Sequence, residues 1–161
     1  MCNDLPIDAT DRAILAQLQT DGRLPNAALA ERVHLSPSPC LRRLKRLEES
    51  GAIRGYRAIL DRRKIGLGLT VFVEAKVSGH SERRTAEFEK AVAGLDFIAS
   101  CHIIAGKADF LLEVVAPDLA AYEQLFLHTL LELPGVVDIR SNIVIRTVKD
   151  TAPLPLDALE H

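Results

Sequence analysis

Four basic side chains lie within five consecutive residues of a segment that also carries leucines at helical spacing. At about 100° per residue, one arc of such a helix is apolar and the opposite arc carries the cations. A helix that enters the major groove of DNA needs this division, because one side packs on its own domain while the other faces bases and phosphates. The apolar arc comprises Cys40, Leu41, Leu44 and Leu47, and the basic arc comprises Arg42, Arg43, Lys45 and Arg46.

The basic arc has a less specific explanation, because a helix with many cations can simply be a solvated surface helix with no partner. No acidic residue interrupts the arc before Glu49, so ion pairs within the helix would be few, and the pattern favours DNA binding. Ser36 and Ser38, at the start of the helix, are predicted to contact phosphates. Arg54 and Arg57, just beyond the helix, are predicted to contact the DNA backbone.

Two residues on the apolar side of the same helix are interpreted as structural. Glu48 falls within the apolar arc, so its carboxylate is predicted to form an ion pair or a cap inside the domain. Cys40 is interpreted as a small packed residue rather than as a redox switch, because free cysteine is among the most buried residue types.

The elements that would position the basic helix are two helices before it and a strand after it. Asp8 or Thr10 is the candidate N-cap of the first helix, and the second helix follows from Pro25. The basic helix spans Ser36–Gly51, and Ile53–Leu60 is predicted as a strand. Three short helices followed by such a strand predict a winged helix-turn-helix domain.

The rest of the chain predicts the order strand, helix, strand, strand, helix, strand. This is the α+β ferredoxin-like arrangement, with four antiparallel strands and two helices on one face. Because the other face would be left uncovered, we expect a homodimer that packs sheet against sheet. The predicted strands are Leu69–Val77, Phe97–Ile104, Phe110–Val115 and Val136–Val148, and the predicted helices are Glu82–Ala93 and a helix from Asp118 to about Leu131.

These patterns divide the chain into two domains and two connecting or terminal segments. Residues 1–60 form the predicted DNA-binding domain, and residues 69–150 form the predicted ferredoxin-like domain for effector binding and oligomerisation. Residues 61–68 are charged and then rich in glycine, which is typical of a hinge. Residues 151–161 are left as a C-terminal tail.

The composition indicates a cytoplasmic protein. The 161 residues carry a net charge of −2, yet residues 36–64 hold nine Lys or Arg against three acidic residues, which suits a polyanionic partner. The three cysteines are far apart and odd in number, so they fit neither a disulfide framework nor a zinc site. No stretch approaches the roughly 20 apolar residues of a membrane helix, and the N-terminus lacks a signal-peptide pattern. We expect no metal site and no cofactor.

The segment Leu35–Glu48 resembles the recognition helix of the Lrp/AsnC feast/famine regulators, and Gly51–Ala58 resembles the wing of that family. Further matches follow in the same order, so the resemblance covers roughly residues 7–156. It implies a bacterial or archaeal transcription factor that assembles as dimers and often as octamers of four dimers. The further matches are Phe72–Glu74, Gly106–Leu112, Val115–Asp118, Leu133–Val136 and Val148–Leu156.

The resemblance also implies an amino-acid effector, bound at an interface between dimers by the turn after the second strand of the ferredoxin-like domain. A glycine turn can offer N–H groups to the ligand's carboxylate, and Asp109 can accept from its ammonium group. Without the resemblance, a structural explanation is favoured, in which Gly106 permits a tight turn and Asp109 bonds the turn's own backbone. Many relatives have an aromatic residue in place of Ala108, so the resemblance does not identify a particular ligand for this chain. The expected effector residues are Ile104, Ala105, Gly106, Lys107, Ala108 and Asp109 in the turn, with an apolar slot formed by Leu119, Tyr122 and the strand around Ser141–Val144, which includes Ser141 and Asn142.

Two other function classes fit the chain less well. Some haem-pathway decarboxylases resemble this family in fold, but the histidines here are scattered and show no nucleophile–base or metal spacing. His102, near the expected effector turn, is interpreted as a packed strand residue. A ligand-free architectural DNA-binding protein is the other alternative. We expect a sequence-specific transcriptional regulator rather than an enzyme, with double-stranded DNA, further copies of itself and an amino acid as partners, and no membrane.

Overall fold

Residues 7–78 and 82–156 are described by the computed structural model, in which the chain divides into two units. The first unit contains the N-terminal residues up to Ile59 together with the tail from Lys149 onward, and the second runs from Leu60 to Val148. The chain therefore passes between the units twice. Within the described ranges, no helix is both long enough and apolar enough to cross a membrane.

Three short helices form the first unit, as the sequence predicts. α1 (Ala9–Thr20) begins with a capping box, in which the side chains of Asp8 and Asp11 each accept a hydrogen bond from the other residue's main-chain amide. α2 (Asn26–Arg32) and α3 (Pro37–Glu49) follow. The apolar sides of the helices enclose a core whose fully buried members include Ile14, Leu29, Cys40 and Leu47.

The C-terminal tail lies against α1 through a reciprocal pair of hydrogen bonds. The Gln19 side-chain amide donates to the Leu154 carbonyl at 3.2 Å, and the Leu154 amide donates to the Gln19 side-chain oxygen at 2.6 Å. One glutamine therefore satisfies both main-chain groups of a tail residue, as a neighbouring strand would. These bonds attach the tail to the helix-turn-helix unit.

The prediction of a strand over Ile53–Leu60 is wrong, because these residues form no regular secondary structure. Gly51 and Gly55 have positive φ values, 78° and 146°, which interrupt an extended run. Ile59 is 89% exposed, and no other described segment pairs with this one in a sheet. A strand needs a hydrogen-bonded neighbour, and none is provided by the described part of this chain.

The second unit is an antiparallel sheet with two helices, and the predicted ferredoxin-like order is confirmed. Its strands are β1 (Leu69–Val77), β2 (Ile98–Ile103), β3 (Phe110–Ala116) and β4 (Val136–Ile143), with α4 (Glu82–Ala93) after β1 and α5 (Leu119–Leu125) after β3. The strands stand in the order β2-β3-β1-β4, and each neighbouring pair is antiparallel. A π-helical turn, Phe126–Leu130, continues α5.

The helices of this unit pack on one face of its sheet. Phe88 of α4 and Phe110 of β3 are both buried, with ring centroids 4.3 Å apart. Along β3, buried residues alternate with half-buried ones, as expected for a sheet covered by helices on one side. The opposite face, here called the bare face, carries Phe72 of β1, which is 39% exposed.

The last strand is shorter than predicted, because β4 ends at Ile143 rather than at Val148. The Val144 amide donates to the Thr70 carbonyl of β1 at 3.0 Å. β1 begins one residue before Thr70, so the residues after Val144 have no partner strand in β1. Ile145 is accordingly 93% exposed. The alternation of apolar residues that predicts a longer strand therefore does not lead to burial at this position.

Residues 61–68, predicted as a hinge, form a capped turn that belongs to the sheet unit. The Asp61 side chain accepts hydrogen bonds from two main-chain amides of the turn, at 3.1 and 3.2 Å. Arg62 donates from Nη1 to Oε1 of Glu113 in β3, at 2.6 Å. The ion pair fixes this segment to the centre of the sheet.

Candidate nucleic-acid interface and ligand groove

One side of α3 faces solvent and lines a shallow groove of about 430 Å³. Its residues recur three or four positions apart, so they form a single row along the helix, here called the α3 row. A serine and a leucine lie toward its N-terminal end, cations occupy the middle, and an acid lies at its C-terminal end. The α3 row consists of Ser38, Leu41, Arg42, Lys45, Arg46 and Glu49.

Arg42 and Lys45 are the two cations of α3 that stay available to a partner. Both are exposed, and neither forms an ion pair with any residue that the structure describes. Ser36 is the N-cap of α3, but its hydroxyl makes no capping hydrogen bond. With exposed Ser38 beside it, the helix start therefore presents hydroxyl donors next to uncompensated positive charge. Phosphates and base edges are recognised by such groups.

Arg43 and Arg46 are instead held by α1. Arg43 donates from Nη1 to Oδ2 of Asp8 at 2.6 Å and to Oδ1 of Asp11 at 2.9 Å, and Arg46 donates to the other oxygen of Asp11. Asp11 is fully buried, so the two guanidinium groups neutralise a carboxylate that the core could not otherwise hold. The sequence pattern treats the four cations alike, whereas the structure divides them into two pairs.

The pKa values of two members of this cluster, Asp8 and Arg43, are shifted. Hydrogen bonds from the Asp11 amide and from Arg43 hold the pKa of Asp8 below its ordinary value. Hydrogen bonds to Asp8 and then to Asp11 raise the pKa of Arg43. Both shifts favour the charged forms of Asp8 and Arg43.

The interpretation of Glu48 as an ion pair or cap is wrong. Its carboxylate accepts a hydrogen bond from the Tyr56 hydroxyl at 2.9 Å. Burial, and then the bond to Glu48, raise the pKa of Tyr56 to about 12. The Tyr56 ring also covers Gly22, where an added Cβ would lie 3.2 Å from Cδ1 of the ring. Tyr56 therefore fixes the segment that carries the exposed residues Arg54 and Arg57.

The structure confirms the interpretation of Cys40 and contradicts that of His102. Cys40 is fully buried in the helical core, and burial raises the pKa of its thiol. His102 is exposed rather than packed, because β2 is an edge strand of the sheet.

The glycine turn between β2 and β3 lines a second groove, of about 350 Å³, here called the charged groove. Gly106, Lys107 and Ala108 contribute to its lining, and β1 and β4 contribute four charged residues at alternate positions of each strand. Each acid lies opposite a base in the β1–β4 ladder. Sequence reasoning missed these four residues, although polar side chains at every second position are a signal for an uncovered sheet face. They are Glu74, Lys76, Asp138 and Arg140.

Gly106 has no structural requirement to be a glycine. Its φ does not lie in the left-handed region, and an added Cβ would meet no atom within 4 Å. Asp109, in contrast, has a structural role, because its Oδ2 accepts from the Val77 amide of β1 at 2.9 Å. The side chain of Asp109 therefore bonds β1, while its main-chain carbonyl closes the turn by accepting from the Ile104 amide at 2.9 Å. The Oδ2 atom is occupied rather than free for a ligand's ammonium group.

The structure does not assemble the predicted apolar slot. Ser141 and Asn142 are consecutive in β4 and therefore face opposite sides of the sheet. The Ser141 hydroxyl lies 2.6 Å from the Tyr122 hydroxyl of α5, whereas Asn142 donates to Glu74 at 3.2 Å. Leu119, at the start of α5, is 59% exposed. Of Leu119, Tyr122, Ser141 and Asn142, only Asn142 shares a sheet face with the charged groove.

Two family profiles match the chain, one in each unit. The winged helix-turn-helix DNA-binding profile matches residues 7–54, which include α1, α2 and α3. The Lrp/AsnC ligand binding domain profile matches residues 70–154, which include nearly all of the sheet unit.

Curated relatives and solved structures agree with these profiles. The leucine-responsive regulatory proteins of Klebsiella pneumoniae and Escherichia coli strain K12 are each 43% identical over 145 residues, which is 90% of this chain and 88% of theirs. A transcriptional regulator from Neisseria meningitidis, solved as a complex with L-Met, has a TM-score of 0.89 at 41% identity and covers 94% of this chain and 98% of its own. An AsnC family regulator from Agrobacterium tumefaciens has a TM-score of 0.89 at 36% identity, over 94% and 99%.

Proposed function

Because this chain belongs to the Lrp/AsnC family of DNA-binding transcriptional regulators, we propose that α3 is the element that enters the major groove of its operator. The free pair Arg42 and Lys45 carries this proposal, since their charges are exposed and unpaired within the described chain. A guanidinium can donate to both major-groove acceptors of guanine, and an ammonium can contact a phosphate. Arg43 and Arg46 hold α3 on α1, and their remaining N–H groups face the DNA backbone.

Fluorescence anisotropy on duplexes selected from a random pool by the wild-type protein tests this interface. We expect Arg42→Ala to weaken binding about tenfold without changing thermal unfolding. Lys45→Ala should lower the slope of log affinity against log salt by about 1, because one phosphate contact is lost. Arg23→Ala is the matched control, since it removes an exposed cation outside α3. Equal affinity of all three variants and the wild type would exclude α3 as the interface.

We further propose that the charged groove binds an amino-acid effector. The observation behind this is Gly106, a groove residue where a side chain would fit the fold yet none is present. Main-chain amides of the turn and the Lys76 ammonium suit an α-carboxylate, and Glu74 or Asp138 suits an α-ammonium. Asp109 acts indirectly, by fixing the turn to β1.

We propose that the working form is a homodimer or a larger assembly of dimers. A second copy would cover Phe72 on the bare face and would present two α3 helices to a two-fold symmetric operator. An effector bound at the charged groove would change assembly and DNA occupancy together, because linked equilibria are reciprocal. A regulator that acts on a chromosomal operator would work in the cytoplasm, and we propose that location for this protein.

Isothermal titration with each common amino acid tests the charged groove. We expect Gly106→Val to abolish the binding heat and to leave thermal unfolding unchanged, because an added Cβ at this position would meet no atom within 4 Å. Gly94→Val is the control, because it adds the same bulk at an exposed glycine outside the groove, where an added Cβ would make only an ordinary contact, 3.6 Å from the Ala91 carbonyl oxygen. If the wild type gives no binding heat with any of these amino acids, the effector proposal is contradicted, while the DNA-binding proposal is unaffected. Sedimentation with and without the active amino acid then measures the change in assembly.

A further inference from the structure

Leu41 lies in the α3 row, although the helical pattern places it in the apolar arc. It is 41% exposed, whereas Cys40 and Leu47 of the same helix are fully buried. The residues that line the groove around it are polar, with Ser38 one turn before it and Lys45 one turn after it. The helical core therefore takes up only part of this side chain. The rest is an apolar surface on the side of α3 that carries the free cations.

We propose that Leu41 reads a thymine in the operator by packing against the C5-methyl group of that base. This inference rests on the proposed role of α3 in the major groove. There the methyl group is the apolar mark of an A·T pair, and aliphatic side chains recognise it by contact. Leu41 belongs to the N-terminal half of α3, and the N-terminal residues of a recognition helix contact the base edges.

Leu41 differs from its neighbours on α3 in the kind of contact that it can make with DNA. Arg42 and Lys45 supply the hydrogen bonds and charge that attract phosphates and guanine, and Leu41 supplies neither. A close approach of these cations to DNA would bring Leu41 against a base edge in the same groove. If that edge carries no methyl group, the apolar surface of Leu41 gains little from leaving water.

The contact is tested by replacing thymines with deoxyuridine, which removes the methyl group and keeps the base pairing. The duplex is one selected by the wild-type protein, and each thymine is replaced in turn, at equivalent positions of both half-sites. We expect the wild type to lose about fivefold in affinity per half-site at one thymine, as for burial of a single methyl group. Leu41→Ala should bind the thymine duplex more weakly and show no further loss with uracil at that position. Leu41→Met, which stays apolar, should keep the discrimination.

The outcomes separate this inference from the proposed function. Equal binding of the wild type to thymine and uracil duplexes at every position overturns the reading of thymine while α3 remains the interface. Discrimination that persists in Leu41→Ala assigns the methyl contact to another residue and also overturns it. If the wild-type protein selects no duplex from the random pool, the proposed DNA-binding function itself is contradicted. The comparison of thymine and uracil duplexes with the wild type does not depend on any variant. If Leu41→Ala does not fold, Leu41→Asn is used in its place for the comparison with the variant.

Discussion

Asp11 of α1 accepts a hydrogen bond from Arg43 of α3 at 2.9 Å, and the Asp11 side chain is fully buried. The second oxygen of the same carboxylate accepts from Arg46. Two cations of the basic arc therefore hold α3 against its own domain, and Arg42 and Lys45 remain for a partner. The acidic residues at the start of α1 thus determine how much of the charge on α3 remains available to a partner.

Replacing Asp11 should lower the stability of the helical unit. We expect Asp11→Ala to reduce the free energy of unfolding by about 2 kcal/mol, because two guanidinium groups lose their partner and the capping box is broken. Urea unfolding measures the change, and Glu49→Ala, an exposed acid on α3, is the control. In the double variant with Arg43→Ala, the loss should be smaller than the sum of the single losses. Strict additivity would show that the two side chains act independently.

Part of the stability that Asp8 gives the fold should depend on the ionisation of its carboxyl group. Its pKa is lowered in the folded state, so its contribution is complete above the ordinary value of 3.8 and is lost as the pH falls through the lower folded value. Asp8→Asn keeps an oxygen for the N-cap and removes the charge, so its stability should fall less steeply below pH 3.8. Asp8→Ala should cost about 1 kcal/mol even at neutral pH, through the lost cap. Thermal unfolding against pH distinguishes the two effects, and a pH dependence of Asp8→Asn identical to that of the wild type would contradict the role of the charge.

Tyr56 should make the helical unit sensitive to alkali. Its pKa is raised from 10.0 to about 12, so the protonated phenol is favoured in the folded state. The resulting stability is complete below pH 10.0 and is lost as the pH rises through about 12. Tyr56→Phe should remove this part of the alkaline destabilisation, and Glu48→Gln should remove some of it by taking away the carboxylate. Ultraviolet titration of tyrosinate in the wild type and in Tyr56→Phe measures the pKa directly, and an ordinary value near 10.0 would refute the contact.

The order of helices and strands follows from the sequence because each element has its own local period and its own caps. Asp8 at the start of α1 and the alternation along β1 are examples in which a short stretch suffices. The lengths of the strands follow less well from the sequence, since a strand extends only as far as its hydrogen-bonded partner strand. β4 stops where β1 begins, and Ile53–Leu60 has no partner in the described chain, yet both segments have apolar side chains at suitable intervals.

The site could be predicted only in its local parts. The row of cations on α3 is visible in the helical period, but the capture of Arg43 depends on Asp8, 35 residues earlier, which no local pattern indicates. In the charged groove, the turn at Gly106 could be found, whereas Glu74 joins it only through the order of strands in the sheet. Ser141 and Asn142 show a simpler error, because adjacent residues of one strand cannot line the same pocket wall.

Gly135 and Gly51 offer a matched pair of glycines for separating backbone strain from steric conflict. Their φ values are 75° and 78°, so an alanine at either position carries the left-handed penalty of about 1 kcal/mol. At Gly135 the new Cβ would also lie 2.9 Å from Cγ1 of Val77, whereas at Gly51 nothing lies within 4 Å. Val77 is β-branched and nearly buried, so it can give way only at a cost.

We therefore expect Gly135→Ala to lower the free energy of unfolding by about 2 to 3 kcal/mol and Gly51→Ala by about 1 kcal/mol. Chemical denaturation of each variant measures the difference. Adding Val77→Ala to Gly135→Ala should make the alanine at 135 less costly, because the conflicting methyl group is gone, and the effect of Val77→Ala alone is subtracted as a reference. Equal losses at the two glycines would show that the left-handed backbone alone sets the cost. The turn before β4 would then accommodate an added Cβ at position 135 without steric cost, in spite of its 2.9 Å distance from Cγ1 of Val77.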